Sequence, residues 1–253
     1  MNILVFDTET TSTNKPFCYN IGYVIYDTDN HEILLKRDFV IEQIWHNLEL
    51  FSSAYYAEKR ELYISKLKGK KAKLEKFGYT TQAMYRDIKQ FEINHAYAYN
   101  SSFDERVFQY NCDWFKCINP LDIVQVHDIR GQVHNKIAFI EDFQNFCDKY
   151  ELYTESGNYS TTAEDVYRFI TKNEKFVEEH TALEDSLIEL QILIETIQAG
   201  ADWETDYKIY TTIPRKELKQ FTIIDRYGTE YNFDYTSKRK ITDKEGFRLS
   251  VKE

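Results

Sequence analysis

The chain has 253 residues, 42% hydrophobic and 29% charged, with a formal charge of −10; this suits one sizeable folded domain with a small appendage and excludes a disordered or collagen-like chain. Only 8 Gly and 3 Pro are present, which also argues against a linker-dominated sequence. No apolar run approaches the ~20 residues of a membrane helix, and the start, Met1-Asn2-Ile3-Leu4-Val5-Phe6-Asp7, lacks a basic segment and long apolar core, so a cytoplasmic protein without a membrane partner is expected.

Ile3-Leu4-Val5-Phe6 is an unbroken apolar run that reads as a strand buried on both faces. Residues 20–26 and 33–41 read as two more strands around a turn at Asp27-Thr28-Asp29-Asn30, giving an opening three-strand meander. From about residue 43 to 91 the composition turns helical, with breaks expected at Gly69 and Gly78. Residues 95–100 read as a fourth strand followed by a helix from about Ser102, and 121–126 as a fifth strand. Helices are then predicted over 137–150, 163–171 and 182–198. In the last, Leu183, Leu187, Leu190, Ile194 and Ile197 recur at helical spacing as an apolar face, and Thr181-Ala182-Leu183-Glu184 matches a capping box. Phe221 to Ile224 and Thr229 to Tyr235 read as strands flanking a turn. The expected organisation is α/β: a mixed five-stranded sheet flanked by helices over 1–205, with a small β-rich C-terminal appendage over 206–253.

Charge is unevenly spread. Residues 207–253 hold 11 Lys/Arg against 7 Asp/Glu, and a second basic run lies at Lys66, Lys68, Lys70, Lys71, Lys73 and Lys76. Either is a solvated face or a surface that meets phosphates. Cys18, Cys112, Cys117 and Cys147 show no CxxC spacing and are expected as reduced thiols.

The candidate chemistry is carboxylate-based. Asp7 and Glu9 close the first strand, and their i, i+2 spacing points both to one side of the sheet. Two oxygen donors there suit Mg²⁺ or Mn²⁺, although a solvated strand end gives the same pattern. Asp104 follows the fourth strand at a helix start, where it would also complement the helix dipole. Asp185 falls in the first turn of the capped helix, and His180 on the loop just before its cap.

Together these segments resemble a known family. Phe6-Asp7-Thr8-Glu9-Thr10-Thr11, Asn100-Ser101-Ser102-Phe103-Asp104 and His180-Thr181-Ala182-Leu183-Glu184-Asp185 resemble, in order, the three motifs of DnaQ-like 3′→5′ exonucleases. The resemblance spans roughly residues 2–198, and His180 in the third motif indicates the DEDDh branch. Tyr99 stands where proofreading relatives often carry His.

The resemblance implies a ribonuclease-H-like fold, with Asp7, Glu9, Asp104 and Asp185 holding two Mg²⁺ or Mn²⁺ ions. His180 would be the general base, its ordinary value near ~6.5 letting it take a proton at working pH. Thr10, Asn100 and Phe103 are the expected substrate contacts, although Phe103 suits core packing equally. The implied activity is release of nucleoside 5′-monophosphates from single-stranded or frayed DNA 3′ ends, in a proofreading or repair-like role. The implied partners are the DNA itself and a DNA polymerase or replisome component. RNA trimming by the same chemistry is the alternative substrate reading, and a silent polymerase-docking module the alternative class.

Overall fold

The computed structural model describes residues 1–54 and 56–207, together with the backbone of 219–224 and 230–235. The chain divides into two compact units, one of Met1–Ile137 and Thr161–Ile209, the other of Ala138–Ser160 and Tyr210–Glu253.

The first unit is built on a mixed sheet of six strands: β1 (Asn2–Thr10), β2 (Cys18–Asp27), β3 (Glu32–Ile41), β4 (Lys73–Glu75), β5 (His95–Ala98) and β6 (Gln125–Asp128). Their order is β4-β3-β2-β1-β5-β6. β1, β2 and β3 form the expected antiparallel meander, while β4, β5 and β6 each join in parallel. The Asp27 carboxylate accepts the Asp29 N–H at 2.9 Å, an Asx turn that closes the β2–β3 hairpin.

Helices of this unit are α1 (Glu42–Trp45), α2 (Leu48–Ser52), α3 (Arg60–Lys68), α4 (Phe77–Gln90), α5 (Ser101–Phe115), α6 (Ile129–Lys136), α8 (Ala163–Thr171) and α9 (Ala182–Gln198). The intervening α7 (Glu141–Tyr150) belongs to the second unit, as does the antiparallel pair β7 (Lys219–Ile224) and β8 (Glu230–Tyr235). The strand pair expected in the C-terminal appendage is therefore present; its turn and the remainder of that segment lie outside the described residues.

Three expectations are corrected. The sheet has six strands, not five, because Lys73–Glu75 pairs with Phe39–Ile41 inside the stretch read as helical. The breaks near Gly69 and Gly78 are present: Gly69 ends α3, and α4 begins at Phe77. The fifth predicted strand starts later: Asn119 caps a 3₁₀ turn at Pro120–Ile123, since proline presets the first helical dihedral, and strand pairing begins only at Gln125. The helix read over 137–150 starts only at Glu141, as α7, and is preceded by a helix not predicted, α6, which Asp128 caps by accepting the Arg130 N–H.

Alternation along β1 assigns the two layers. Phe6 faces α5, its ring 5.8 Å and edge-on from Phe108, and Tyr23, opposite Phe6, bonds Asp87 of α4 at 2.7 Å. Asp7 and its ladder partner Gly22 face the other way, against α9. A Cβ on Gly22 would stand 2.1 Å from the Ala182 carbonyl carbon, so only glycine lets this helix sit so low on the sheet.

That close approach overturns the predicted apolar stripe of α9. Its buried side includes Ala182, Ser186, Glu189, Leu193 and Thr196, whereas Leu183, Leu187, Ile194 and Ile197 are only half-buried. Small residues are needed where backbone meets backbone; Ser186 Oγ donates to Gly22 O at 3.1 Å and to Ala182 O at 2.6 Å. Among the described residues, no helix is long and apolar enough to cross a membrane. No disulfide joins the four cysteines, and Cys18, Cys112 and Cys147 are buried.

Candidate active site

The end of β1 carries Asp7 and Glu9, and strand alternation turns both toward α9. Helix α9 brings Asp185 to the same point. Asp7, Glu9 and Asp185 each offer a carboxylate oxygen within 4.8 Å of one another.

The start of α9 is positioned by side chains from three other elements. The buried Asn20, opposite Glu9 in the ladder, accepts the Ala182 N–H at 2.9 Å and the Tyr63 hydroxyl at 3.0 Å. Its amide donates to Asp38 Oδ1 at 2.7 Å and Phe39 O at 3.0 Å. The expected capping box is not formed in its usual way: Thr181 is the N-cap, but its hydroxyl bonds the Glu184 carboxylate rather than a backbone N–H. Lys66 explains the diversion. It is 6% exposed, donates to Thr181 Oγ1 at 3.0 Å, lies 3.4 Å from Asp38 Oδ2, and is bonded to Glu184. Removing one member of such a buried ion network typically costs ~3–5 kcal/mol, so the network pins the helix start.

Asp104 reaches the strand end from the opposite layer. It is 2% exposed and accepts the Thr8 hydroxyl at 2.6 Å. Thr8 points away from Asp7, so Asp104 stands beside the carboxylate trio without joining it. Its helix begins with Asn100 in a left-handed conformation (φ 63°), whose N–H donates to Asp128 Oδ1 at 2.9 Å.

The electrostatics are those of acids crowded out of water. Burial lifts Asp7 to about 7, against the Thr8 backbone N–H. Burial, then Asp7, Glu9 and Glu178, push Asp185 to about 10. Glu9 is raised by burial and Asp7 although Tyr19 donates to its Oε2 at 3.3 Å, and Asp104 is raised by burial and Asp7. Two carboxylates at 4 Å repel by about 4 kcal/mol at an effective dielectric of 20.

His180 lies just outside α9, at φ 50°. Its ring stacks on Tyr56 at 4.3 Å and 14°. Its Nδ1 is 3.6 Å from Glu178 Oε2, an ion-pair distance. It gathers with Glu164 and Glu178 into a second cluster rather than with Asp7, Glu9 and Asp185. Burial and then Lys59 hold His180 below its ordinary value, whereas burial, Glu164 and Asp7 push Glu178 up to about 7. Glu178 is therefore the neighbour shared by the two clusters.

Of the expected substrate contacts, Asn100 is exposed, and Thr10 bonds Ser12 O at 3.3 Å just past a bulge in the ladder. Phe103 is half-buried against the core with the Arg106 guanidinium 5.4 Å above its ring. Sequence reasoning missed Glu178, Glu164, Lys59 and Glu189. Only Glu189 left a signal: it lies one helical turn after Asp185, and so on the same helix face.

The donor set fits a divalent cation. It consists of carboxylate oxygens, which suit Mg²⁺ or Mn²⁺. Asp185 Oδ1 and Glu189 Oε2 are buried without a hydrogen-bond partner, an arrangement that a cation would satisfy.

Solved nuclease structures share this fold over most of the chain. The nuclease domain of 3′hExo, a DEDDh family member bound to rAMP, superposes with a TM-score of 0.50 at 12% identity, over 82% of this chain and 97% of that one. Cell-death related nuclease 4 (CRN-4) gives 0.50 at 16% identity, over 79% of this chain and 64% of that one. Escherichia coli Exonuclease I in complex with a dT13 oligonucleotide gives 0.51 at 13% identity, over 79% and 41%. The chain spans less than two thirds of the latter two, and at these identities the likeness is one of fold. No family model and no curated protein sequence matches the chain.

Proposed function

We propose that the chain is a metal-dependent 3′→5′ exonuclease of the DEDDh type, hydrolysing single-stranded or frayed DNA 3′ ends to nucleoside 5′-monophosphates. The observation that carries the reading is the convergence of Asp7, Glu9 and Asp185 within 4.8 Å at the end of β1, with Asp104 beside them, in a fold shared with such enzymes.

Asp7, Glu9, Asp104 and Asp185 are assigned two divalent ions. When bound, these stabilise charge on the attacking and leaving oxygens of an in-line displacement. His180, held below its ordinary value by burial and Lys59, would take the proton of the attacking water at one ring nitrogen. Tyr56 fixes the ring plane, and Glu178 beside Nδ1 favours the tautomer that leaves the other nitrogen free to accept. Lys59, whose ammonium donates to Glu179 O and lies 5.0 Å over the Tyr56 ring that stacks on His180, is assigned as a cation for the scissile phosphate. Thr10 and Asn100 contact the 3′ end, and Phe103 the terminal sugar or base.

A cleft of about 540 Å³ beside β3 and β4, closed by the end of α3, is lined in part by Lys36, Lys70 and Lys71, with Arg37 paired to Asp87 and Lys73 to Glu75, and provides a track for upstream phosphates. Lys66, from the same basic run, is committed to Asp38 and Glu184 and takes no part.

Degradation of 5′-labelled single-stranded DNA and RNA, side by side in Mg²⁺, Mn²⁺ and EDTA, tests the reading. A ladder shortening from the 3′ end of DNA, abolished by EDTA, is expected. Preference for RNA would move the substrate to the exoribonuclease alternative, and no degradation of either would sink the enzyme reading.

A further inference from the structure

His180 lies on the stretch between α8 and α9, and the backbone there does little to hold it. Among the described residues, no backbone–backbone hydrogen bond reaches 177–180. The chain leaves α8 through a turn, in which the Asn173 N–H meets Arg168 O and the Phe176 N–H meets Asn173 O, each at 3.1 Å. Beyond the turn it is held by side chains of α8. Arg168 Nε donates to Phe176 O at 2.7 Å, and Glu164 Oε2 accepts the Glu178 N–H at 2.8 Å. From another element, Lys59 bonds Glu179 O and Tyr56 stacks on the imidazole.

The two α8 contacts form one unit. Arg168 Nη2 pairs with Glu164 Oε1, and Nη1 donates to Asp165 Oδ1 at 3.0 Å. An ion pair one turn apart on a helix surface is ordinarily a weak contact. Here the guanidinium side chain is 19% exposed, and its remaining nitrogen leaves the helix for the loop. The chain of contacts ends at the imidazole. Glu178, whose N–H Glu164 holds, places its carboxylate 3.6 Å from His180 Nδ1. Glu164, Glu178 and His180 each bring a side-chain oxygen or nitrogen within 4.8 Å of the others. Two carboxylates so close repel, and the Arg168 charge on Glu164 offsets that repulsion, so Glu178 can stay beside Nδ1.

We propose that Arg168 is a positioning residue for His180: it ties Glu164 to the loop and thereby sets Glu178 and the imidazole in place. This rests on the reading of His180 as general base and adds to it a residue outside the three sequence motifs. The geometry calls for arginine in particular. Its three nitrogens serve three acceptors in a fixed fork, whereas a lysine ammonium is a point charge on a flexible stem.

The test is steady-state hydrolysis of a labelled oligonucleotide by the full chain in Mn²⁺. The forms compared are wild type, Arg168→Ala, Arg168→Lys, His180→Ala and the double variant Arg168→Ala/His180→Ala. Arg168→Ala should lower kcat ~10²-fold, the order expected for a misplaced base, with KM little changed. Arg168→Lys should recover part of that loss. In the His180→Ala background the Arg168→Ala change should cost nothing further, because a residue that acts through the imidazole has nothing left to position. A wild-type kcat in Arg168→Ala would overturn the inference, as would a rise in KM alone. An equal loss in both backgrounds would overturn it too, since a general structural defect has that signature. Should Arg168→Ala not fold, the same cycle run with Arg168→Lys decides by the same criteria. A His180→Ala variant with wild-type turnover would instead overturn the general-base reading, a result distinct from all of these.

Discussion

Gly22→Ala is the most incisive perturbation of the site, because Gly22 lies opposite Asp7 in the ladder and beneath the helix that bears Asp185. The added Cβ would stand 2.1 Å from Ala182 C and Leu183 N, whereas ordinary contact starts at 3.4 Å. Both obstacles are backbone, so the helix start must retreat by about 1.3 Å. The Ala182 N–H to Asn20 bond, at 2.9 Å, and the Ser186 to Gly22 bond, at 3.1 Å, would both stretch past hydrogen-bonding length. Two lost bonds at ~1 kcal/mol each plus ~1–3 kcal/mol of overpacking give a destabilisation of about 3–5 kcal/mol. Asp185 travels with the helix, and its distance from Asp7 and Glu9 grows beyond what ~2.1 Å ligand bonds to one ion can span. Turnover should fall ~10²-fold, the usual order for a 1 Å misplacement. Thermal denaturation in EDTA and in Mn²⁺, with single-turnover hydrolysis of a labelled oligonucleotide, measures both effects. A variant with lowered stability but wild-type Mn²⁺ affinity and turnover would refute the argument that this glycine sets the spacing of the acids.

His180→Ala should lower turnover ~10²–10⁴-fold with Mn²⁺ affinity unchanged. The wild-type rate should rise with pH along a limb below the ordinary imidazole value, since His180 is shifted down, and the variant's pH–rate profile should lack that limb. In EDTA the folded state keeps protons that the unfolded state loses, because Asp7 lies at about 7 and Asp185 at about 10 against 3.8. Stability should therefore fall as pH rises from about 4 toward 10, and Mn²⁺ should flatten that slope in calorimetric melts. Paired Lys70→Glu and Lys71→Glu changes in the β3–β4 cleft should weaken oligonucleotide binding and reduce its salt dependence, read by anisotropy over a salt series. An unchanged salt slope would remove the cleft from the substrate path.

The sequence was most legible where one local signal decides the structure. The apolar run before Asp7 made β1, and the predicted bounds of α8 and α9 coincide with those observed. Signals that depend on distant partners were not legible. β4 is three residues in a lysine-rich stretch, and it is a strand only because the edge of β3 lies alongside. The apolar stripe on α9 misled because leucine normally marks the buried face, whereas here the glycine at position 22 admits bare backbone. Asp7, Glu9 and Asp185 come together as acids at element ends, but the grouping of His180 with Glu164 and Glu178 depends on how the loop before α9 folds back, which no spacing encodes.

The sequence separations across the strand end have a consequence for biosynthesis. Thr8 holds Asp104 across 96 residues, and Gly22 holds Ser186 across 164. A chain made from its N-terminus at ~5–20 residues per second exposes Asp7 and Glu9 on the order of 10–40 s before α9 is available to join them. During that interval Asp7 and Glu9 share the strand end without Asp185, so the proposed metal cage stays incomplete until α9 has left the ribosome.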